Sequence, residues 1–396
     1  MNSWNTDSAP RSGPASASAD AQRLFNLLEF WKYLDPITIL MTSDNKYYWA
    51  SSITGIFKVR VEGDKQTAVG YKWRDINMQF HGAYAFISNE DIYYTAGNDY
   101  ISGYANKDSS DPESEIVEVK RHNIEGLKAK EHLVGLSATW DGNMVYITNY
   151  GKVGALSMDF KTLSDVVQLP GSDELSLPGK MVTNSFAIDS KGGIFIVGSM
   201  YMNKVRWSAG KLSLEWSTKY HDKEPEMYWG RFGPGSGASP TLMGHKGDGE
   251  AEYVVITDGD KQMNIVYLTA DEGKIVGKNP VTFGGMASSQ SEQSVVVNGY
   301  KAVVVNNWFS DSDVPALCYA VKAFINYFGL ADKLAQGCPF LLGGYAHGAE
   351  QFEIDPKTHE VSSLWHRDDM SCTSSIPVVT EQDNTFYCIG KSGWDF

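Results

Sequence analysis

From Ile37 onward, apolar and polar positions recur in one unit. A short apolar run leads into a tight polar turn, and a strand rich in Tyr, Val and Ile follows. The turns are Ser43-Asp44-Asn45, Asn89-Glu90-Asp91, Asp141-Gly142-Asn143, Ser190-Lys191-Gly192-Gly193, Lys246-Gly247-Asp248-Gly249, Asn298-Gly299 and Glu381-Gln382-Asp383. The strands after them read YYWAS, IYYTA, MVYITN, GIFIVG, EYVVITD, AVVVNN and FYCIG. Asn, Asp and Gly suit such turns because they tolerate the left-handed backbone of tight hairpins. Third strands follow at once, as in GIFKVRV, YISGYA, KVGALSM and MNIVYL. Fourth strands are fainter, as expected of an exposed edge.

The turns recur at roughly fifty residues until the sixth, and the last gap is longer by about one insertion. Four short strands per repeat at this period predict an all-β fold, a seven-bladed β-propeller over residues 37–396. Its seventh blade has two strands, which either the N-terminal segment or a longer C-terminal tail would complete. Residues 1–20 are rich in Ser, Ala and Pro and are expected to be a flexible leader. Residues 21–36 carry Leu24, Phe25, Leu27, Leu28, Trp31 and Leu34 at helical spacing and predict an N-terminal helix stopped by Asp35-Pro36.

Residues 308–348 interrupt the sixth repeat between its second and third strands. Leu317, Val321, Phe324 and Phe328 fall on one helical stripe, and Pro315 suits a helix start. So apolar an insertion is expected to be a helical lid over the channel mouth, with Phe324, Tyr327 and Phe328 facing a ligand or a partner. The alternative is a helix packed on the flanking blades.

A propeller blade runs outward as an antiparallel meander, so first-strand starts and second-strand ends share one face near the axis. That rule gathers His81, Thr139-Trp140, Asn184-Ser185, Ser236–Thr241, Gln290–Gln293, Thr148-Asn149-Tyr150, Asp258-Gly259-Asp260 and Asn306-Asn307. Candidate catalytic groups are His81, Asp258, Asp260 and Glu292, in general acid/base or metal-assisted chemistry. Candidate substrate contacts are Trp140, Tyr150, Gln290, Asn307, Trp308, Phe324, Phe328 and His347. Asn149, Asp258, Glu292 and Asn306 offer the hard oxygens that suit Ca²⁺, whereas turn capping is the competing role for Asp258, Asp260 and Asn306.

Asp355-Pro356-Lys357-Thr358 followed by Trp365 resembles the D-x-x-T-G-x-x-x-W strand signature of quinoprotein-like propellers, with His359 in place of Gly. Asp159-Phe160-Lys161-Thr162 is a fainter copy. Asn149, Asp258, Glu292 and Asn306 resemble the axial calcium set of lactonase-like propellers. The stretch from PGSGASPTLMG through YVVITDGD to MNIV is similar to propellers of unknown activity. These resemblances imply a propeller. The axial set implies a calcium-assisted hydrolase, lyase or isomerase, whereas the strand signature supports the superfamily and no quinone cofactor; a quinoprotein-type oxidoreductase stands as a further alternative.

Composition narrows the partners. The chain has 396 residues and a formal net charge of −14. A phosphate backbone would be repelled, so nucleic acid is not an expected partner. No apolar run spans a membrane. A partly apolar small molecule is the expected ligand, and a binding scaffold is the non-enzymatic alternative. All four cysteines lie at Cys318, Cys338, Cys372 and Cys388. A Cys318–Cys338 bridge would place the protein in an oxidising, secreted or periplasmic setting, and free thiols would leave the cytoplasm open. The absence of GxSxG, HExxH and a P-loop leaves serine-hydrolase and nucleotide chemistry unsupported.

Overall fold

The structure is a computed structural model. It describes residues 7–9, 38–52, 54–74, 84–171, 182–222, 226–231, 233–246, 249–327, 338–342, 346–372, 376–388 and 390. The expected helix over 21–36 lies outside the described residues. The protein is a β-propeller, and its described residues form seven sheets, consistent with the seven expected repeats. The chain divides into two compact units, 16–166 and a second comprising 2–15 with 167–396.

Six sheets are four-stranded antiparallel meanders in simple chain order. The first sheet runs Thr38–Met41, Tyr47–Ser51, Gly55–Glu62 and Lys65–Trp73. The second runs Ala85–Ile87, Tyr93–Ala96, Tyr100–Asn106 and Ile116–Asn123. The third has Leu133–Ala138, Asn143–Thr148 and Lys152–Ser157, with a two-residue fourth strand, Val167–Gln168, at the unit boundary. The fourth, fifth and sixth sheets begin at Phe186, Thr241 and Val296. Six of the seven expected hairpin turns hold a left-handed residue, Asn45, Asp91, Gly142, Gly192, Gly249 and Gly299, and the seventh has one directly after it, Asn384. Thr42 and Thr139 each donate a side-chain hydrogen bond to the aspartate two residues on, Asp44 and Asp141. That contact locks the turn through the Asp-turn chemistry the pattern implied.

Alternation explains how the sheets pack. On the strand Tyr253–Thr257, Val255 joins a core with Val297, Val304 and Phe352 of the sixth sheet. Its neighbours Val254 and Ile256 join a core with Phe195, Val197 and Met202 of the fourth. Period-two side chains thus serve both faces, so the second strands read as unbroken apolar runs. Each such Val or Ile contributes roughly 1.5–3 kcal/mol by leaving water. Apart from Val167–Gln168, the fourth strands are long and carry many exposed positions, as in Lys211–Lys219, which is why their signal in the sequence is faint.

The seventh sheet has three strands: Ser8–Ala9, Val378–Thr380 and Thr385–Tyr387. Ser8 and Ala9 pair in parallel with Val379 and Thr380. Part of the expected leader is therefore a strand, because Val378–Thr380 has a free edge whose backbone groups need partners. The quinoprotein-like stretch is a turn. Asp355 Oδ1 accepts from Lys357 N at 2.7 Å and Thr358 N at 3.1 Å, and His359 takes φ 61° where that signature has Gly.

Helix α1 spans Ala316–Tyr327, directly after Pro315. Its buried stripe differs from the expected one. Val314, Cys318 and Ile325 are buried and Val321 is partly covered, whereas Leu317 is 60% and Phe324 59% exposed. The cause is the Cys318–Cys338 disulfide, which turns the Cys318 face inward. Phe324 therefore faces solvent, and Phe328 lies outside the described residues. A second disulfide joins Cys372 and Cys388. No described helix is long and apolar enough to cross a membrane.

Candidate functional site

Three loops of the second unit interlock. One follows Lys211–Lys219 and leads to Thr241; the second precedes Val296; the third leaves Lys301–Val305 towards α1. Asn307 N donates to Gln290 O at 2.7 Å, and Glu292 N donates to Asn307 Oδ1 at 2.9 Å. Asn306 Oδ1 accepts from Trp308 N at 3.0 Å and Gln290 N at 3.3 Å. Gln290 Nε2 reaches Trp229 O at 2.5 Å and Asn307 O at 2.8 Å. Gly230 makes this closeness possible. At φ 86°, a Cβ there would stand 2.7 Å from Asn307 O.

Above this floor sit Trp229, Phe309, Val314 and Cys318, so α1 packs directly over the loops. Lys322 Nζ lies 4.6 Å from the centre of the Trp229 ring. The helix is thus packed on these loops, as the alternative to a lid expected, with a different face turned inward.

Two charge pairs occupy the cluster. Arg231 is wholly buried, its Nε 3.6 Å from Glu292 Oε1, and it donates through Nη2 to Gly235 O. Burying either charge alone would cost several kcal/mol, so each neutralises the other. The second pair is His221 Nε2 with Asp260 Oδ1 at 3.2 Å, the imidazole buried and the carboxylate half exposed. Asp258 is wholly enclosed. It accepts from Asn264 N at 2.8 Å and Asn264 Nδ2 at 2.7 Å and meets Lys278 Nζ at 2.9 Å. Lys278 also stands 3.9 Å from Asp260 Oδ2. Asp258 is thus a turn organiser and Asp260 the more accessible acid.

Two tyrosines tie the pairs together. Burial and the hydrogen bond to Glu226 push the Tyr228 phenol up to about 12; Arg231 opposes this and Asp260 adds to it. Burial raises Tyr220 further, and both Asp258 and Arg231 act on it. Each phenol therefore lies within electrostatic reach of a member of both charge groups. Trp308 packs on Tyr228 at 4.9 Å between ring centres.

Among the expected site residues, Gln290, Glu292, Asn306, Asn307 and Trp308 are joined by hydrogen bonds, and Asp258 and Asp260 share a turn in the same unit. His347 joins through its carbonyl, which accepts from Asn306 Nδ2 at 2.8 Å. Asn149, Tyr150 and Trp140 belong to the first unit. Asn149 Oδ1 accepts from His132 N at 2.9 Å and Tyr150 Oη donates to Ala129 O at 3.0 Å, so both fasten the 129–132 segment. Thr139 and Trp140 end the strand Leu133–Ala138 instead of starting it, and Trp140 is a 63% exposed turn tip. His81 lies outside the described residues. His221, Tyr228, Arg231 and Lys278 were not foreseen, because they sit on fourth strands or the loops after them, where the repeat is faint.

The expected calcium set does not fit this arrangement. Calcium takes about six to eight oxygens. Here Asp258 is committed to Asn264 and Lys278, Asn306 Oδ1 to two backbone amides, and Glu292 faces Arg231. Among the described residues, no three His, Cys, Asp or Glu side chains converge in a metal-holding group.

No protein-family model matches the chain. An uncharacterised protein of Archaeoglobus fulgidus is 29% identical over 408 residues, covering 96% of this chain and 74% of the relative. Among solved structures, a candidate 6-phosphogluconolactonase from Bacteroides uniformis aligns with a TM-score of 0.51 at 10% identity, over 84% of each chain. The RRP9 WD40 repeats align with a TM-score of 0.50 at 8% identity, over 90% of this chain and 87% of theirs. These likenesses are of fold.

Proposed function

We propose that the second unit carries an acid/base site acting on a small, partly apolar organic molecule, with hydrolysis of an ester or lactone as the reaction. The observation that carries this reading is the His221–Asp260 pair at 3.2 Å, in the same unit as the buried Arg231–Glu292 pair. In the mechanism, Asp260 orients the imidazole, and His221 accepts a proton from an attacking water and later returns it to the leaving oxygen. Lys278 stands 3.9 Å from Asp260 Oδ2, on the side of Asp258. Arg231 and Glu292 hold the floor, and Trp308 with Tyr228 offers an apolar wall. The lactonase named for the Bacteroides uniformis neighbour agrees with this class of reaction. The two disulfides support an oxidising compartment, which extends the reading to a secreted or periplasmic protein.

The test is a panel of lactones and carboxylic esters assayed with the protein and with His221→Gln and Asp260→Asn. Turnover of one class, reduced about 10²–10⁴-fold by His221→Gln, is the expected result. Turnover indifferent to both substitutions, or none across the panel with folded protein, rejects the reading.

A second reading is a binding scaffold, favoured by Leu317 and Phe324, seven residues apart on one face of α1 and both exposed. It predicts that Leu317→Asp with Phe324→Asp abolishes association while His221→Gln changes nothing.

A further inference from the structure

The hairpin that joins Val296–Asn298 to Lys301–Val305 turns at Asn298-Gly299, the one Asn-Gly pair in the chain. Asn298 pairs with Lys301 across the turn, which leaves Gly299 and Tyr300 at its tip. Gly299 is exposed and left-handed at φ 61°, and a Cβ built on it would meet no heavy atom within 4 Å. Its N–H makes no hydrogen bond among the described residues. The backbone nitrogen of this turn is thus shielded neither by a side chain nor by an acceptor.

The side chain before it is held by a single contact. Asn298 is half-buried, and its one side-chain hydrogen bond among the described residues is Nδ2 donating to Asn384 Oδ1 at 3.2 Å. Asn384 is exposed and lies between Val378–Thr380 and Thr385–Tyr387, so that bond joins the sixth sheet to the seventh. An amide carbon free to turn therefore precedes an open backbone nitrogen.

Two other turns place Asp before Gly, and both are restrained. Gly142 N is engaged, donating to Thr139 O at 3.1 Å, while Asp141 accepts from Thr139 Oγ1. Asp258 is enclosed and held by Asn264 and Lys278. A carboxylate is also a poorer target for a nucleophile than a neutral carboxamide.

We propose that Asn298 is a site of spontaneous covalent modification, at which water replaces the side-chain amide and leaves aspartate or isoaspartate. Gly299 N gives up its proton to hydroxide and attacks Asn298 Cγ. The Cγ–Nδ2 bond breaks, and the nitrogen leaves as ammonia with a proton from water. A succinimide ring remains, and water opens it. Cleavage at Cγ gives aspartate; cleavage at the main-chain carbonyl carbon gives isoaspartate, whose main chain runs through the β-carbon. Either product adds a negative charge to a chain already at −14 and puts an oxygen where Nδ2 donated to Asn384. The bond between the sixth and seventh sheets is lost, and isoaspartate also lengthens the turn. This chemistry owes nothing to the loops around Glu292.

The experiment ages the folded full chain at mildly alkaline pH in water enriched in oxygen-18. Fragmentation mass spectrometry then reads the tryptic peptide 279–301. The expected result is a carboxyl group at position 298 that carries the heavy oxygen, as both aspartate and isoaspartate, formed faster as pH rises. Its rate is expected to exceed that at other asparagines about tenfold, because only here is the following residue without a Cβ. Gly299→Ala is expected to slow it about tenfold. Alanine is strained at φ 61°, so Asn298→Gln serves as the second variant. It keeps the glycine, must close a larger ring, and should leave position 298 unmodified over the same period. No change at position 298 in the folded chain while the urea-unfolded chain reacts, a rate matched by other asparagines, or a rate unmoved by Gly299→Ala overturns the proposal.

Discussion

Lys58 Nζ lies 2.6 Å from Asp91 Oδ2, a wholly buried ammonium of the first sheet anchored on the hairpin turn of the second. Asn106 Oδ1 accepts from the same nitrogen at 2.7 Å, and Trp49 Nε1 donates to Asp91 Oδ1 at 2.8 Å. Removing the carboxylate leaves a buried cation with one neutral partner. Asp91→Ala is therefore expected to destabilise the first unit by about 2–4 kcal/mol, the lower end allowing for the partly exposed aspartate. Lys58→Met combined with Asp91→Asn should cost less than the two single changes added together. Urea unfolding of the parent, Asp91→Ala, Lys58→Met, Asp91→Asn and the double variant checks both outcomes.

Glu350 plays a comparable part in the second unit. Its Oε2 accepts from Thr282 N at 2.9 Å and Phe283 N at 2.7 Å, and its Oε1 accepts from Ser363 Oγ at 2.8 Å. This one carboxylate pins the connection between the fifth and sixth sheets. Glu350→Ala should cost about 2–4 kcal/mol, since two buried amides lose a charged acceptor. Glu350→Gln should recover part of that. Thermal unfolding reads the difference.

Asp7 supplies a pH dependence. Its backbone C=O accepts from Val379 N at 3.0 Å, and burial pushes its carboxyl up from 3.8 to about 7. The folded form therefore holds a proton that the unfolded chain releases at lower pH. The stabilisation is complete below about pH 4, declines as pH rises, and is gone above about pH 7. Protection of the Val379 amide, measured against Asp7→Asn at each pH, should fall across that window in the parent and stay level in the variant. Equal profiles would exclude Asp7 as the cause.

The Cys372–Cys388 bridge closes a loop at a sequence separation of 16. Cross-linking a loop of this length stabilises by about 3 kcal/mol, chiefly by restricting the unfolded chain. Cys372→Ser with Cys388→Ser should lower the stability of the second unit by about that amount. Cys318→Ser with Cys338→Ser should instead loosen α1 over Trp229, which local hydrogen exchange would register.

The repeat was legible because its turns need specific residues. Asn45, Asp91, Gly142 and Gly299 stand where a left-handed backbone is required, so the chemistry of the turn marks the sequence. The second strands were legible because both of their faces are buried. The fourth strands were not, since half of each faces water and Lys, Glu and Ser serve there as well as Val. His221, Arg231 and Lys278 belong to that unmarked part. Glu292, Asn306, Asn307 and Gln290 were found because the meander sends first-strand starts and second-strand ends to one face. The same rule misplaced Trp140, which follows the strand Leu133–Ala138 instead of starting it. The helical stripe was read one face off because period alone cannot tell Leu317 from Cys318. A covalent bond made that choice.

The short parallel strand Ser8–Ala9 covers an edge of Val378–Thr380 that would otherwise be open. Only two residues hold it, so it is a replaceable stopper. A chain lacking residues 1–9 would present a vacant slot, and an extended segment of another molecule would fit that slot in the same register. Fusions and cleavages at the amino terminus would then change self-association, although they alter no residue of the loops around Glu292.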